Sequence, residues 1–131
     1  MRKEFKLETP REGFLAITDQ INAFIATSGV KEGIVVVHSP HTTAGITVNE
    51  NSDPAVKSDL LMAMQSIFSD DPRFQHLEGN SAAHLKCSMV GSNTTLIIKE
   101  GRLDLGIWQD VYFCEFDGKR NRRFICKIIA G

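Results

Sequence analysis

Residues 106–129 read GIWQDVYFCEFDGKRNRRFICKII, and the alternation in this stretch decides the fold. Two runs rich in β-branched and aromatic residues, 106–116 and 122–129, flank the polar segment DGKRN. Residues of these types suit a pleated, half-buried surface, so both runs are expected as strands. Asp117-Gly118 between them is a hairpin signal. Working outward, residues 94–99 form a further strand before a turn at Gly101. Residues 3–9 alternate apolar and polar, and Pro10-Arg11-Glu12-Gly13 predicts a turn into the short apolar piece 14–17. Ile34-Val35-Val36-Val37 predicts a buried strand, and residues 45–49 a second one that pairs back on it.

Three helices interrupt the strands. Thr18 can cap the first, whose Ile21, Phe24 and Ile25 share one face, and Gly29 suits a left-handed stop. Pro54 at a first helical position, followed by Val56, Leu60, Leu61, Met64, Ile67 and Phe68, predicts an amphipathic core helix over 54–68. Asn80 or Ser81 opens a third helix that runs to about Val90 and ends at Gly91. Helices set apart from a mainly antiparallel sheet define an α+β fold, with the helices packed on the sheet. One compact domain over residues 1–131 accounts for the whole chain.

Composition narrows the function. Fifteen basic against sixteen acidic residues give a net charge of −1, which offers no electrostatic signature for nucleic acid or membrane. No apolar run approaches the length of a membrane span, and no secretory leader precedes residue 5, so residence in the cytoplasm is expected. Cys87, Cys114 and Cys126 are odd in number and widely spaced, which fits reduced thiols packed as small hydrophobes.

The polar residues with chemical potential fall into a few groups. His41, His76 and His84 lie beside small, hydroxyl or amide residues, and three imidazoles meeting at one point would make an open zinc site. Thr42 and Thr43, in a segment leaving a strand end, offer hydroxyls and amides to a phosphate. Glu50 can act as a general base or orient a ligand, and Asp59 is either a solvated flank or a support for an imidazole. Lys86 and the following GSNTT supply a charge, amides and hydroxyls for an anion. Trp108 is most simply a core or interface anchor, with Gln109 pointing to the opposite face. Arg120 and Arg122 present guanidinium forks for phosphate or carboxylate. Two classes remain open: a small-molecule enzyme, including a metal-dependent hydrolase of a phosphorylated metabolite, or a metal- or phosphate-binding protein without catalysis.

The order HTTAGITVNE (41–50), Asp59-Leu60, FQH (74–76), GNSAAHLK (79–86), GRLDLGIWQ (101–109) and EFDGKRNR (115–122) resembles the YjbQ-like family, described as secondary thiamine-phosphate synthases. The resemblance runs from about residue 33 to residue 128. Phe74 stands where the family has tyrosine, Ser81 and Lys119 where it has alanine and proline. It implies a homotrimer with polar residues near the subunit contacts, and a thiamine-phosphate synthase-like transferase activity. That reaction joins a pyrimidine-methyl pyrophosphate to a thiazole phosphate. Within that frame His41, His76 and His84 are expected to hold a divalent metal, zinc foremost or magnesium with the pyrophosphate. Glu50, Asp59 and Gln109 are the expected catalytic residues. Thr42, Thr43, Lys86, Trp108, Arg120 and Arg122 are expected to bind the phosphorylated substrate.

Overall fold

The computed structural model describes residues 1–131. Its elements in order are β1 (Arg2–Glu8), β2 (Gly13–Ala16), α1 (Thr18–Ser28), β3 (Glu32–His38), β4 (Ala44–Glu50), α2 (Pro54–Ile67), α3 (Ser81–Val90), β5 (Asn93–Lys99), β6 (Arg102–Leu103), β7 (Gln109–Glu115) and β8 (Asn121–Ala130). The strands form two sheets rather than one. A five-stranded sheet has the order β1-β8-β3-β5-β6, a three-stranded sheet the order β2-β7-β4, and every pairing is antiparallel. The α+β class expected from the sequence is the fold observed.

Two expected pairings are corrected. Asp117-Gly118 does not close a hairpin: β7 belongs to the small sheet and β8 to the large one. Nor does β4 pair back on β3, since β3 lies between β5 and β8 while β4 pairs with β7. The physical reason is burial on both sides. In β7, Val111 and Phe113 enter the main core while Tyr112, Cys114 and Phe116 pack in a second cluster with Ala83 and Cys87 of α3. A strand apolar on both faces needs a layer above and below, which a hairpin with the amphipathic β8 cannot supply.

The main core lies between the sheets. Val35, Val37, Ile98, Phe124 and Cys126 come from the large sheet, Ile46, Val111 and Phe113 from the small one, and Ile17, Ile21, Phe24 and Ile25 from α1 and its approach. Gly29 ends α1 at φ 74°, as its type suggests. α2 begins as expected, with Asp53 accepting from the Ala55 amide and Pro54 at the first position. It is not a core helix, however. None of its residues is fully buried, and Met62 and Ile67 are exposed. All three cysteines are free and buried. No helix is long and apolar enough to cross a membrane.

The chain crosses between the sheets three times at one end of the molecule: β1 to β2 through residues 9–12, β3 to β4 through residues 39–43, and β7 to β8 through residues 116–120. Backbone hydrogen bonds tie the crossings together. Thr9 N–H donates to Arg120 O at 3.0 Å, Phe116 N–H to Thr43 O at 3.1 Å, and Gly118 N–H to Arg11 O at 2.8 Å. Gly118 is required here because a Cβ would stand 1.8 Å from Pro10 O. These crossings build the site.

Candidate functional site

β3 stops at His38, opposite Ile125, so β8 has no strand neighbour on that side beyond this point. His41 fills the gap: its Nε2 lies 3.0 Å from the Arg123 amide. The same nitrogen lies 3.1 Å from the Arg123 carbonyl oxygen, so the tautomer decides whether it accepts from the amide or donates to the carbonyl. Burial, followed by the nearby Arg122 charge, pushes the His41 pKa below its ordinary value of 6.5. Neutrality at physiological pH follows.

Beneath His41 lies a buried ion pair that sequence reasoning missed. Glu115 is fully buried and accepts Arg122 Nε at 2.7 Å and Nη2 at 2.6 Å, the two-pronged contact characteristic of guanidinium and carboxylate. The Thr9 hydroxyl and the Asp117 amide also donate to it. Burial works to raise the Glu115 pKa, but these hydrogen bonds outweigh it and hold the carboxyl below its usual range. The only hint in the sequence is one acid inside the apolar run VYFCEF. Arg122 spends its remaining reach on the Thr43 hydroxyl, 2.8 Å away. Arg122 and Thr43, expected as phosphate ligands, are therefore engaged with each other and with Glu115.

Above this pair opens a polar cavity of about 340 Å³. His41, His76 and His84 all line it, together with Thr42, Glu78, Asn80 and Arg120, and Pro40 is the one apolar side chain on its wall. His84 sits in the first turn of α3, and His76 on the exposed loop before it. Their rings meet edge to face with centroids 5.3 Å apart. Arg120 is bound by Asp117, through its main-chain oxygen at 2.7 Å and its carboxylate at 2.9 Å. Asn80 Nδ2 donates to that same carboxylate at 2.9 Å. Each arginine thus already faces an acid.

The fit to a metal ion is partial. Two imidazoles on one tetrahedral zinc, with Zn–N of about 2.0–2.1 Å, have ring centroids roughly 5 Å apart, which the His76–His84 pair satisfies. A third donor is not in place: no three His, Cys, Asp or Glu side chains stand close enough to hold an ion, and His41 Nε2 is committed to Arg123.

Other expected site residues lie elsewhere. Lys86 is buried against Glu12, 3.2 Å away, in a neighbouring cavity. Glu50 and Gln109 face each other in register at the opposite end of the small sheet from Ala44 and Glu115. Six residues of strand separate those ends by roughly 20 Å. Gln109 Oε1 accepts the Gly106 amide at 2.8 Å, a turn contact. Trp108 is 61% exposed and so is no core anchor, and Asp59 is exposed on α2 and is not part of the histidine cavity's lining.

A family model described as UPF0047 protein YjbQ-like matches residues 3–131. The chain belongs to the YjbQ-like UPF0047 family. A UPF0047 protein of Methanocaldococcus jannaschii is 51% identical over 120 residues, covering 92% of this chain and 87% of that one. The UPF0047 protein YugU of Bacillus subtilis is 44% identical over 123 residues, with 93% of each chain covered. Among solved structures, a YjbQ/UPF0047 family protein of Clostridium acetobutylicum superposes with a TM-score of 0.94 at 46% identity, covering 97% and 99% of the two chains. A conserved hypothetical protein of Thermus thermophilus gives 0.91 at 40% identity, with the same coverage. The YjbQ-like fold thus extends over essentially the entire chain.

Proposed function

We propose that the histidine cavity is the active site of a small-molecule transferase that acts on phosphorylated substrates. The reaction is the one the family resemblance implies: a thiazole nitrogen attacks the methylene of a pyrimidine-methyl pyrophosphate. The N–C bond forms as the C–O bond breaks, and pyrophosphate leaves with the electron pair. The observation that carries this reading is the convergence of His41, His76 and His84 on one predominantly polar cavity within a single chain.

Electrostatics sets the terms. Arg120 and Arg122 are matched by Asp117 and Glu115, and Glu78 adds a negative charge. The two arginines therefore leave the cavity no surplus positive charge of their own for a departing pyrophosphate. The His76–His84 pair would hold zinc, or magnesium would enter on the pyrophosphate oxygens; either ion, when bound, supplies that charge. The chain's own groups position the substrates: Arg120 and Thr42 on the rim offer donors to phosphate oxygens. His41, neutral and fixed against the Arg123 backbone, lines the same space. Preorganised donors of this kind cost no reorientation at the moment of reaction.

The working assembly in this proposal is a homotrimer. Leu77 and Ile107 project almost entirely into solvent and Trp108 largely so, an arrangement that subunit contacts would cover. It would also allow Glu50 and Trp108 of one protomer to reach the histidine cavity of another, since within one chain they stand at the far end of the sheet.

Incubating the protein with the two phosphorylated substrates and measuring thiamine phosphate by chromatography tests the reaction, with metal content measured in parallel. His84→Ala should lose both bound metal and product. If both persist in that variant, the metal-assisted reading is wrong. If the unaltered protein forms no product with either ion, the transferase reading is wrong.

A further inference from the structure

The five-stranded sheet ends on β1, whose outer side pairs with no strand of the chain. Met1 and Thr9 bond through their backbones to Ile128 and Arg120, so the odd residues between them turn their backbone groups toward β8. The even residues Arg2, Glu4, Lys6 and Glu8 therefore aim their N–H and C=O groups away from the sheet. Their side chains share one face of the strand, and all four are exposed. A free edge of this kind is a template for a further strand.

Charge on that face is poorly matched within the chain. Arg2 stands directly opposite Lys127, and Lys6 opposite Arg123. Like charges in that position destabilise a strand pair. Glu4 reaches Arg123 in an ion pair, whereas Arg2, Lys6, Glu8 and Lys127 have no ionic partner in the chain.

Along the edge the signs alternate, plus at Arg2 and Lys6, minus at Glu4 and Glu8. Such a row is complementary to its own reverse. With a second β1 laid antiparallel about a two-fold axis at Phe5, Arg2 faces the partner's Glu8 and Glu4 faces the partner's Lys6. A slip of two residues one way sets Glu4 against its own copy and Arg2 against Lys6. A slip the other way sets Lys6 against its own copy and Glu4 against Glu8. Edge charges that turn other strands away thus admit this one in a single register. On the opposite face the two half-buried Phe5 rings come side by side, which removes more apolar surface from water.

We propose that two copies of this chain associate through β1, each strand pairing with its own copy so that the two large sheets become continuous. Every facing pair of even residues exchanges two backbone hydrogen bonds. Arg2 and Lys6, each set against a cation of β8, both gain a carboxylate. The backbone supplies the affinity and the charges the register. The contact is independent of the transferase reading and of the trimer proposed with it. It doubles whatever assembly the other surfaces form, giving a dimer from a monomer or a hexamer from a trimer.

Sedimentation velocity of the full chain tests it, from about 1 to about 100 μM, the range in which a modest contact between copies shows itself. The unaltered protein should reach an even number of chains. Lys6→Glu sets carboxylates against each other across the axis and should halve that mass, although it relieves the repulsion from Arg123 within the chain. Lys6→Pro removes an outward N–H that the ladder with β8 does not use, and should halve it as well. Glu4→Lys sets ammonium groups against each other and should do the same. Mixed in equal amounts, Lys6→Glu and Glu4→Lys are complementary, and the doubled mass should return. That recovery separates a lost contact from a damaged fold. The proposal is overturned if the unaltered protein keeps an odd number of chains throughout, if either Lys6 variant keeps the doubled mass, or if mixing restores nothing.

Discussion

The two ends of the three-stranded sheet are built from the same strands and differ in almost every physical respect. At one end Ala44 faces Glu115, three crossings of the chain pack together, and Glu115 and Arg122 are buried as a matched pair. At the other end Glu50 faces Gln109, Trp108 and Ile107 stand in solvent, and polar contacts serve turns. At the buried end Glu115 and Arg122 must keep each other, since a lone buried charge is costly. The exposed end is free to meet another surface. A site that needs fixed hydrogen-bond donors belongs at the first, and a surface for assembly at the second.

Substitutions at the two ends should differ accordingly. The largest effect is expected from Glu115→Ala, which strands the buried Arg122 guanidinium. Loss of one partner from a buried pair costs about 3–5 kcal/mol, whereas Glu50→Ala should stay within ~1 kcal/mol, both read from urea denaturation. Equal effects at the two ends would break the comparison. Next is Gly118→Ala: its Cβ would fall 1.8 Å from Pro10 O, so the crossing must shift. A loss of at least ~2 kcal/mol is expected, because the obstacle is backbone and not a movable side chain.

Acid should act on the same end. Glu115 has a folded pKa below its ordinary value of 4.5, so the unfolded chain takes up the proton first as pH falls. Its stabilisation is therefore complete above about pH 4.5 and is lost progressively below it. Glu115→Gln, less stable at neutral pH, should show a flatter acid limb in denaturation midpoints measured down to about pH 3. A limb as steep as that of the unaltered protein would place the acid sensitivity elsewhere. The smallest effect is expected from Trp108→Ala: within ~0.5 kcal/mol on the stability of a single chain. Light scattering would show any reduction in assembly size, and an unchanged mass would remove Trp108 from the proposed contact.

Much of the local structure was legible in the sequence because its signals are short-ranged. Pro54 after Asp53 and glycine at 29 and 91 marked helix ends, and alternation marked the strands. The errors concern partners. Asp117-Gly118 has the composition of a hairpin, yet β7 is apolar on both faces and is drawn between two layers. The 54–68 periodicity is real, but nothing in it tells whether the apolar face meets this chain or another. The Glu115–Arg122 pair escaped notice because its importance lies in burial, and a sequence does not show burial at a single polar position.

Residue order by itself determined the α+β class, the boundaries of most elements, and three histidines each set among small polar neighbours. Those follow from backbone preference and periodicity, which act over a few residues. Only the tertiary structure decided that the strands divide into two sheets, that the crossings gather at one end, and that Lys86 belongs to a different cavity from the histidines. Such outcomes depend on which buried faces and charges find each other across the whole chain, a competition settled by packing and desolvation.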